Sequence, residues 1–234
     1  MYQHWKKLID NNIKSKVFDA LENNVNYDKE YILGIPASFL DDKIFNQDSS
    51  FLKEAPFMST LIQNPNHIGC HTLGNSERYY SGTQKIEQEL LDICAVDILK
   101  GESGKYDGYV ASGGTEANLQ AIWTYRNYYQ NVKGAKREEI AILCSSDSHY
   151  SMDKAANLLA LDIYKIDVDS DNRELIDIDA AILKAQKDGK SYFIVIANMM
   201  TTMFGSVDNV TYLTDEILSL NCNFNLHIDA AFGG

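Results

Sequence analysis

The second half of the chain alternates between continuous apolar segments and segments with helical periodicity. The apolar segments are DGYVAS (107–112), EIAILCSS (139–146), DIYKIDV (162–168), SYFIVIANMM (191–200) and FNLHIDAA (224–231). The helical segments between them are 115–132, 151–160, 176–189 and 213–221. Strands that are apolar throughout, each joined to the next by a helix, are typical of a parallel sheet covered on both faces. We therefore predict an α/β fold with a mostly parallel sheet flanked by helices.

The first part of the chain has a different pattern. Residues 1 to 75 are irregular and contain all three prolines of the sequence, which is typical of an N-terminal arm that wraps another part of the protein. Residues 82–100 have apolar side chains at helical spacing, and this pattern predicts an amphipathic helix. We predict two parts, an arm at 1–75 and a larger domain at 76–234.

Composition limits the partners of the chain. An apolar content of 45% and a charged content of 23% are those of an ordinary soluble globular protein. The net charge of -12 disfavours nucleic acids and anionic lipids as partners. No apolar stretch approaches the length of about 20 residues that spans a bilayer, and no signal peptide is evident. We expect a cytoplasmic protein with neither a nucleic-acid nor a membrane partner.

The cysteines predict neither a disulfide framework nor a metal site. The four cysteines (Cys70, Cys94, Cys144 and Cys222) lie far apart without a C-x-x-C pair, so we interpret them as small buried apolar residues. The segment HIGCH (67–71) offers histidine and cysteine donors but no fourth ligand. We expect no bound metal.

Polar residues and glycines gather where the predicted strands end. These ends are SGGTEAN (112–118), SSDSHYS (145–151), NMMTTMFGS (198–206) and IDAAFGG (228–234). In open α/β sheets, ligands bind at the carboxyl ends of the strands. The sequence therefore predicts that a binding site lies at this edge of the sheet.

Three features of this edge have both a functional and a plain structural interpretation. The glycines of SGGTEAN would let the backbone approach an anion at a helix start, or they simply make a tight turn. Asp229 would be unfavourable to bury without a cation or a donor, but aspartates also cap turns. His149 lies in a loop before a helix, where a histidine often has no chemical role. Neither SGGTEAN nor GESGK (101–105) matches the P-loop pattern.

Taken together, these four segments resemble the motifs of a known enzyme family. YVASGGTEANLQA, SHYSMDKAA, TTMFGSVDN and HIDAAFGG occur in this order at the predicted strand ends. They resemble the group II pyridoxal phosphate (PLP) dependent amino-acid decarboxylases, which act on glutamate, aromatic amino acids or histidine and have the aspartate aminotransferase fold, fold type I. The resemblance runs from Asn66 to the last residue. It implies PLP as cofactor, an L-amino acid as substrate, an amine and carbon dioxide as products, and a homodimer or a complementary C-terminal chain as partner.

The resemblance also implies roles for individual residues. Gly113, Gly114 and Thr115 would hold the cofactor phosphate. His149 would stack on the pyridine ring, and Ala231 would pack on its other face. Thr202, which we prefer over Thr201, would lie beside the ring, and Asp229 would pair with the ring nitrogen. His149 and Asp229 are thus the predicted catalytic residues.

The family's Schiff-base lysine has no candidate in this sequence. In the family it follows a histidine, downstream of the segment that matches DAAFGG, and no lysine here follows a histidine. We expect the chain to be the N-terminal part of a longer decarboxylase, inactive alone, with an incomplete sheet in which DGYVAS (107–112) lacks its neighbour. The alternatives are a PLP-dependent carbon-carbon lyase of the same fold and a non-catalytic fragment that binds PLP or dimerises. The sequence does not identify the substrate amino acid.

Overall fold

The computed structural model describes residues 10–23, 38–39, 63–64 and 81–234. The chain divides into two compact units, Met1–Val110 and Ala111–Gly234. The predicted boundary at residue 75 falls outside the described residues and stays a prediction.

The described part of the first unit is mainly helical. Its elements are α1 (Asp10–Asn23), β1 (Ser38–Phe39), β2 (Gln63–Asn64) and α2 (Ser81–Asp92), and β1 pairs with β2 in antiparallel orientation. Gly82 lies directly against α1, because a Cβ added there would be 1.8 Å from the carbonyl oxygen of Ala20. The absence of a side chain at Gly82 thus lets the two helices approach each other.

The helix predicted over 82–100 is confirmed, although its last part is wider than an α-helix. After α2 the chain continues as a π-helix over Ile93–Ile98. Leu90, Ile93 and Ile98 are 45%, 42% and 43% exposed. The described residues therefore leave much of the predicted apolar stripe uncovered.

The second unit contains the predicted α/β sheet. Its helices are α3 (Gly114–Asn131), α4 (Ser151–Leu159), α5 (Ile178–Lys187) and α6 (Val210–Ser219). Its strands are β3 (Ile140–Ser145), β4 (Asp162–Val168), β5 (Leu175–Ile176), β6 (Tyr192–Asn198) and β7 (Asn223–Asp229). The order in the sheet is β5-β4-β3-β6-β7, and only β5 is antiparallel to its neighbour. The predicted fold class is confirmed.

One predicted strand is wrong. The segment 107–112 forms no strand, and Tyr109 and Val110 are exposed. The backbone N–H of Val110 donates instead to Oε1 of Glu87 at 2.6 Å. A strand needs a neighbour for its backbone hydrogen bonds, and no described strand pairs with this segment. The apolar composition of this segment is therefore not sufficient to make it a strand.

The short strand β5 was also missed. The sequence pattern predicts that Ile176 begins a helix, whereas the structure pairs it with Asp167 and begins α5 at Ile178. The segment LI is too short for its two-residue alternation to be distinguished from the first turn of the following helix.

The alternation of side chains along the strands divides the core into two layers. On one face, β3 and β6 pack under α3 and α4, with Ile122, Ile140, Ile142, Met152, Ala155, Ile194 and Ile196 buried. On the other face they pack under α5 and α6, with Ala141, Leu143, Ile178, Ile182, Phe193, Val195, Leu213 and Ile217 buried. A sheet covered on both faces has continuous apolar strands, as the sequence shows. The carboxyl ends of β3, β6 and β7 are thereby held at one edge.

The cysteines follow the prediction only in part. Cys144 is buried in β3, whereas Cys94 and Cys222 are partly exposed, and all three are free thiols. Cys70 lies outside the described residues.

Candidate active site

A cavity of about 300 Å³ opens where α3 begins and β6 and β7 end. Its walls are Gly114, Thr115, Asn118, His149, Tyr150, Asn198, Met200, Thr201, Thr202, Asp229, Ala231 and Phe232. All four strand-end segments singled out in the sequence contribute to it. Of the predicted site residues, only Gly113 does not line the cavity, and it immediately precedes Gly114.

The glycine turn presents backbone donors at the start of α3. Gly113 is extended, with φ 169° and ψ 170°, and no side chain caps the helix start. The N–H and hydroxyl groups of Ser112 are engaged by Glu116, at 2.7 Å and 2.5 Å. The first N–H groups of an α-helix have no partner within the helix, and the helix dipole adds positive potential there. The turn therefore suits an anion.

Gly114 brings this turn against the end of β7. A Cβ added at Gly114 would lie 2.7 Å from the Cβ of Ala231. That separation is too short for two carbon atoms, so only glycine permits the observed approach. Gly114 and Ala231 form a narrow cradle between the helix start and the strand end.

Asp229 is a buried carboxylate at the end of β7 and is 9% exposed. Its Oδ2 accepts from Nδ2 of Asn118 at 2.9 Å, and its Oδ1 accepts from the backbone N–H of Ala231 at 3.2 Å. Both donors are neutral. Within the described part of the chain, Asp229 takes part in no ion pair. A buried carboxylate without an ion pair would be stabilised by a cation that binds in the cavity.

His149 faces the cavity from the loop before α4. Its Nδ1 accepts from the backbone N–H of Ser151 at 3.2 Å and lies 3.0 Å from Oγ of Ser151. The imidazole also lies against the ring of Tyr150, with 4.1 Å between centroids. These contacts limit the rotation of the imidazole at the cavity wall.

The two candidate threonines differ in their surroundings. Thr201 is 3% exposed, and its Oγ1 lies 2.8 Å from Oγ of Ser206, within its own loop. Thr202 is exposed, and both threonines line the cavity. The hydroxyl of Thr201 is therefore engaged in shaping the loop. The preference for Thr202 as the residue beside a bound ring stays a prediction.

The same loop is held at its base by a pair that the sequence analysis did not single out. Oδ2 of Asp208 accepts from both the backbone N–H and Nδ2 of Asn198, each at 2.7 Å. Burial raises the pKa of Asp208, and the negative charge of Asp147 acts in the same direction. Asn198 also donates to Ser148 at 3.1 Å, so it connects the loop after β6 with the loop that carries His149.

Asn118 and His227 were also missed. Asn118 is 3% exposed and donates from Nδ2 to Ser151 Oγ at 3.1 Å as well as to Asp229. Its Oδ1 lies 2.8 Å from Nε2 of His227. Burial lowers the pKa of His227, and the opposing effect of Asp229 is smaller. The available signal was position, because Asn118 closes SGGTEAN and His227 lies two residues before Asp229.

Comparison with known proteins assigns the family. A family profile described as "Pyridoxal-dependent decarboxylase conserved domain" matches residues 84–234. The chain belongs to this family. The group II resemblance found in the sequence is confirmed, and with it pyridoxal phosphate as the cofactor of the family.

Individual members of the pyridoxal-dependent decarboxylase family show the same likeness. The chain is 46% identical over 232 residues to a tryptophan decarboxylase from Clostridium sporogenes, covering 98% of this chain and 56% of that protein. It is 32% identical over 214 residues to a probable L-tyrosine/L-aspartate decarboxylase from Methanosarcina barkeri, covering 84% of this chain and 51% of that protein. The chain thus spans about half the length of these relatives.

A solved structure supports the fold. L-methionine decarboxylase from Streptomyces sp. 590 superposes with a TM-score of 0.61 at 17% identity, covering 98% of this chain and 58% of that one. At this identity the likeness concerns the fold alone. Together with the parallel sheet, it agrees with the predicted fold type I.

Four features of the cavity fit pyridoxal phosphate. The start of α3 offers backbone donors for a phosphate, and Asp229 offers a buried carboxylate for a protonated ring nitrogen. The cradle between Gly114 and Ala231 is open only because residue 114 has no side chain, since a larger residue would fill it. A volume of about 300 Å³ lies at the lower end of the range usual for small-molecule sites.

The described residues lack two further features. Among them, no helix has the length and apolarity needed to cross a bilayer. They also contain no cluster of metal-binding side chains.

Proposed function

We propose that the protein catalyses PLP-dependent decarboxylation of an L-amino acid, giving an amine and carbon dioxide. The observation that carries this proposal is the buried carboxylate of Asp229 on the wall of the cavity into which the glycine turn opens. Membership of the decarboxylase family supports it. Bound PLP supplies an electron sink for the carbanion left at Cα when carbon dioxide departs.

Asp229 has the central role in this proposal. An ionised carboxylate beside the ring nitrogen raises the pKa of that nitrogen and so keeps the ring positively charged, which is the form that accepts electrons. The donors from Asn118 and Ala231 hold the orientation of the carboxylate. The start of α3, at Gly114 and Thr115, would bind the phosphate, with Gly113 supplying the extended approach to it.

His149, Thr202 and Ala231 would hold the position of the ring. We propose that the imidazole of His149 stacks on the ring and that Ala231 contacts the opposite face. The contacts of His149 with Ser151 support this role because they restrain the imidazole before any ligand binds. Among the described residues, no lysine lines the cavity.

An aromatic L-amino acid, with tryptophan as the first candidate, is the proposed substrate. The 46% identity to a protein named tryptophan decarboxylase supports this choice. Tyr150, Met200 and Phe232 add large apolar surfaces to the cavity wall, and all three are exposed. Such surfaces favour an aromatic side chain over a carboxylate such as that of aspartate.

The assembly is proposed from the family resemblance alone. We propose a homodimer or a complex with a complementary C-terminal chain. Light scattering of the complete protein tests this, and a monomer at all concentrations would contradict it.

A product assay tests the activity. The complete protein, supplied with PLP, is incubated with L-tryptophan, L-tyrosine, L-phenylalanine, L-aspartate and L-glutamate, and the amine and the released carbon dioxide are both measured. We expect tryptamine to form fastest. If carbon dioxide is released fastest from aspartate or glutamate, the substrate proposal is overturned. If no amino acid yields an amine, the proposal of decarboxylation is overturned. Cleavage of a phosphorylated amino alcohol to an aldehyde would instead support the lyase alternative.

A further inference from the structure

We propose that His227 is a positioning residue that holds the Asn118 amide in the orientation that presents its N–H groups to Asp229 and Ser151. The significance of this role for catalysis rests on the proposed function. The role itself follows from contacts among four side chains from α3, α4 and β7.

The orientation of the Asn118 amide follows from the chemistry of its neighbours. An ionised carboxylate has lone pairs but no hydrogen to donate, so the amide group facing Asp229 must be the NH2 group. The second N–H of the same group points to Ser151 Oγ at 3.1 Å. The carbonyl Oδ1 therefore faces His227, and the contact of 2.8 Å requires that Nε2 of His227 carries a proton.

His227 is suited to hold this orientation. Because burial lowers its pKa, the imidazole is neutral and has a single ring proton, which the contact with Asn118 places on Nε2. Both N–H groups and the carbonyl of Asn118 then have partners. A buried polar network in which each member is satisfied holds its side chains firmly, whereas removal of one donor leaves an acceptor unpaired.

The alternative orientation explains why a positioning residue is needed. A rotated Asn118 amide would place its carbonyl oxygen against the Asp229 carboxylate, with two acceptors in contact. Without a donor at position 227, the carbonyl would lose its partner in the observed orientation, and the preference for that orientation would weaken. Asp229 would then spend part of the time without the Asn118 donor.

The network also extends to His149. Ser151 Oγ accepts from Asn118 and can therefore direct its own hydrogen to Nδ1 of His149. The backbone N–H of Ser151 donates to the same atom. With two donors at Nδ1, the proton of a neutral His149 lies on Nε2. One amide thus contacts Asp229 directly and His149 through a hydroxyl.

A pair of substitutions at 227 tests the proposal. His227→Phe keeps a ring but removes the donor, whereas His227→Gln keeps an N–H that can reach Asn118. The first readout is hydrogen exchange of the Asn118 side-chain amide, measured by NMR in the cofactor-free protein. We expect exchange about tenfold faster in His227→Phe, as for the loss of one buried hydrogen bond, and near-native exchange in His227→Gln.

The single substitution Asn118→Leu keeps the test decisive if His227→Phe does not fold, because it removes the same contact from the other side. Asn118→Leu removes the acceptor of His227, and we expect the ¹⁵N spectrum of His227 to change from a single tautomer to a mixture. Where His227→Phe does fold, a double-mutant cycle adds a second test. The double variant should have the same kcat as Asn118→Leu alone, because both substitutions act through one contact. The matched control is Asn131→Leu, which changes an exposed asparagine at the far end of the same helix.

Kinetics of the complete protein separate positioning from packing. We expect His227→Phe to lower kcat with little change in KM, and His227→Gln to restore kcat. Equal impairment by both variants, or native exchange of Asn118 in His227→Phe together with an unchanged His227 tautomer in Asn118→Leu, would overturn the proposal. The NMR readouts need neither cofactor nor turnover, so an inactive wild-type protein would overturn the proposed function and leave the positioning result intact.

Discussion

The side-chain amide of Asn118 donates to the carboxylate of Asp229 over 2.9 Å, although 111 residues separate them in the chain. Asn118 lies four residues after Gly114 on α3, so it is about 6 Å further along the same helix. One helix therefore provides the proposed phosphate site at its start and holds the proposed ring-nitrogen partner from its second turn. Movement of α3 would disturb both ends of a bound cofactor together.

Replacement of Asp229 by asparagine should abolish most turnover. The amide has nearly the same shape as the carboxylate but no charge, so it cannot keep the ring nitrogen protonated. We expect kcat to fall at least about 100-fold, the scale of other losses of one electrostatic group in an active site. The phosphate site at the start of α3 is untouched, so the complete protein should still retain PLP. Steady-state amine formation and cofactor content measured on the same sample check this.

Asp215→Asn is the matched control, since it makes the same change at an exposed position of α6. It should leave kcat within error of the wild type. Undiminished turnover in Asp229→Asn would remove Asp229 from the proposed mechanism.

Gly114→Ala should destabilise the protein. The added methyl group would lie 2.7 Å from Cβ of Ala231, and the end of β7 or the start of α3 must move to relieve the overlap. Overpacking of this kind costs about 1–3 kcal/mol of unfolding free energy. Urea denaturation of the chain measures this loss, and equilibrium dialysis should show weaker PLP binding by the complete protein.

Gly113→Ala serves as the comparison one residue earlier. A Cβ there would meet nothing within 4 Å, and φ of 169° is accessible to any residue. We expect its unfolding free energy to stay within about 0.5 kcal/mol of the wild type. Equal destabilisation by the two alanines would show that the Gly114–Ala231 approach is not what demands glycine.

Much of the site could be predicted because parallel strands place their carboxyl ends at one edge. Asp229 ends β7 and His149 follows β3, so the order of elements along the chain predicts that both lie at this edge. Asn118 and His227 were missed for a different reason. Their contact joins residues 109 apart and depends on which side chains face each other across α3 and β7, and a single sequence does not carry that register.

The errors in the fold also have a physical origin. DGYVAS has the composition of a strand, but a strand exists only when a neighbour completes its hydrogen bonds, and that neighbour is not a local property of the segment. The short strand β5 is the opposite case, since the pairing of Leu175 with Val168 gives strand structure to two residues that carry no periodic signal. Long strands such as β3 and β6 were predicted because burial on both faces requires a continuous run of apolar residues in the sequence.

His227 should make the stability of the protein depend on pH. Its folded-state pKa is lowered from the ordinary 6.5 because burial disfavours the charged imidazolium. Below pH 6.5 the unfolded chain binds a proton that the folded protein does not, so unfolding free energy falls as pH falls and levels off below the folded-state pKa. The slope of this contribution is at most about 1.4 kcal/mol per pH unit.

His227→Gln isolates this contribution, because glutamine does not titrate and can still donate to Asn118. Urea unfolding of both proteins between about pH 5 and pH 8 gives the difference directly. We expect the stability of the wild type relative to His227→Gln to decline on acidification. Parallel curves would mean that His227 charges as readily in the folded state as in the unfolded one.

Ala160→Gly should stabilise the protein through the end of α4, the helix that begins at Ser151 beside His149. Ala160 ends this helix in the left-handed conformation with φ 52°, and its N–H donates to the carbonyl groups of Ala156 and Asn157. A left-handed residue with a Cβ costs roughly 1–2 kcal/mol, which glycine avoids, although glycine also adds entropy to the unfolded chain. Ala160 is exposed, so no packing is lost. We expect a net gain of about 0.5–1 kcal/mol in unfolding free energy.

Ala180→Gly is the control, since Ala180 is also exposed but lies within the right-handed helix α5, and it should instead lower the unfolding free energy by about 1 kcal/mol. Thermal melting of the two variants should therefore shift in opposite directions, and a loss of stability in both would show that the backbone at Ala160 is not strained.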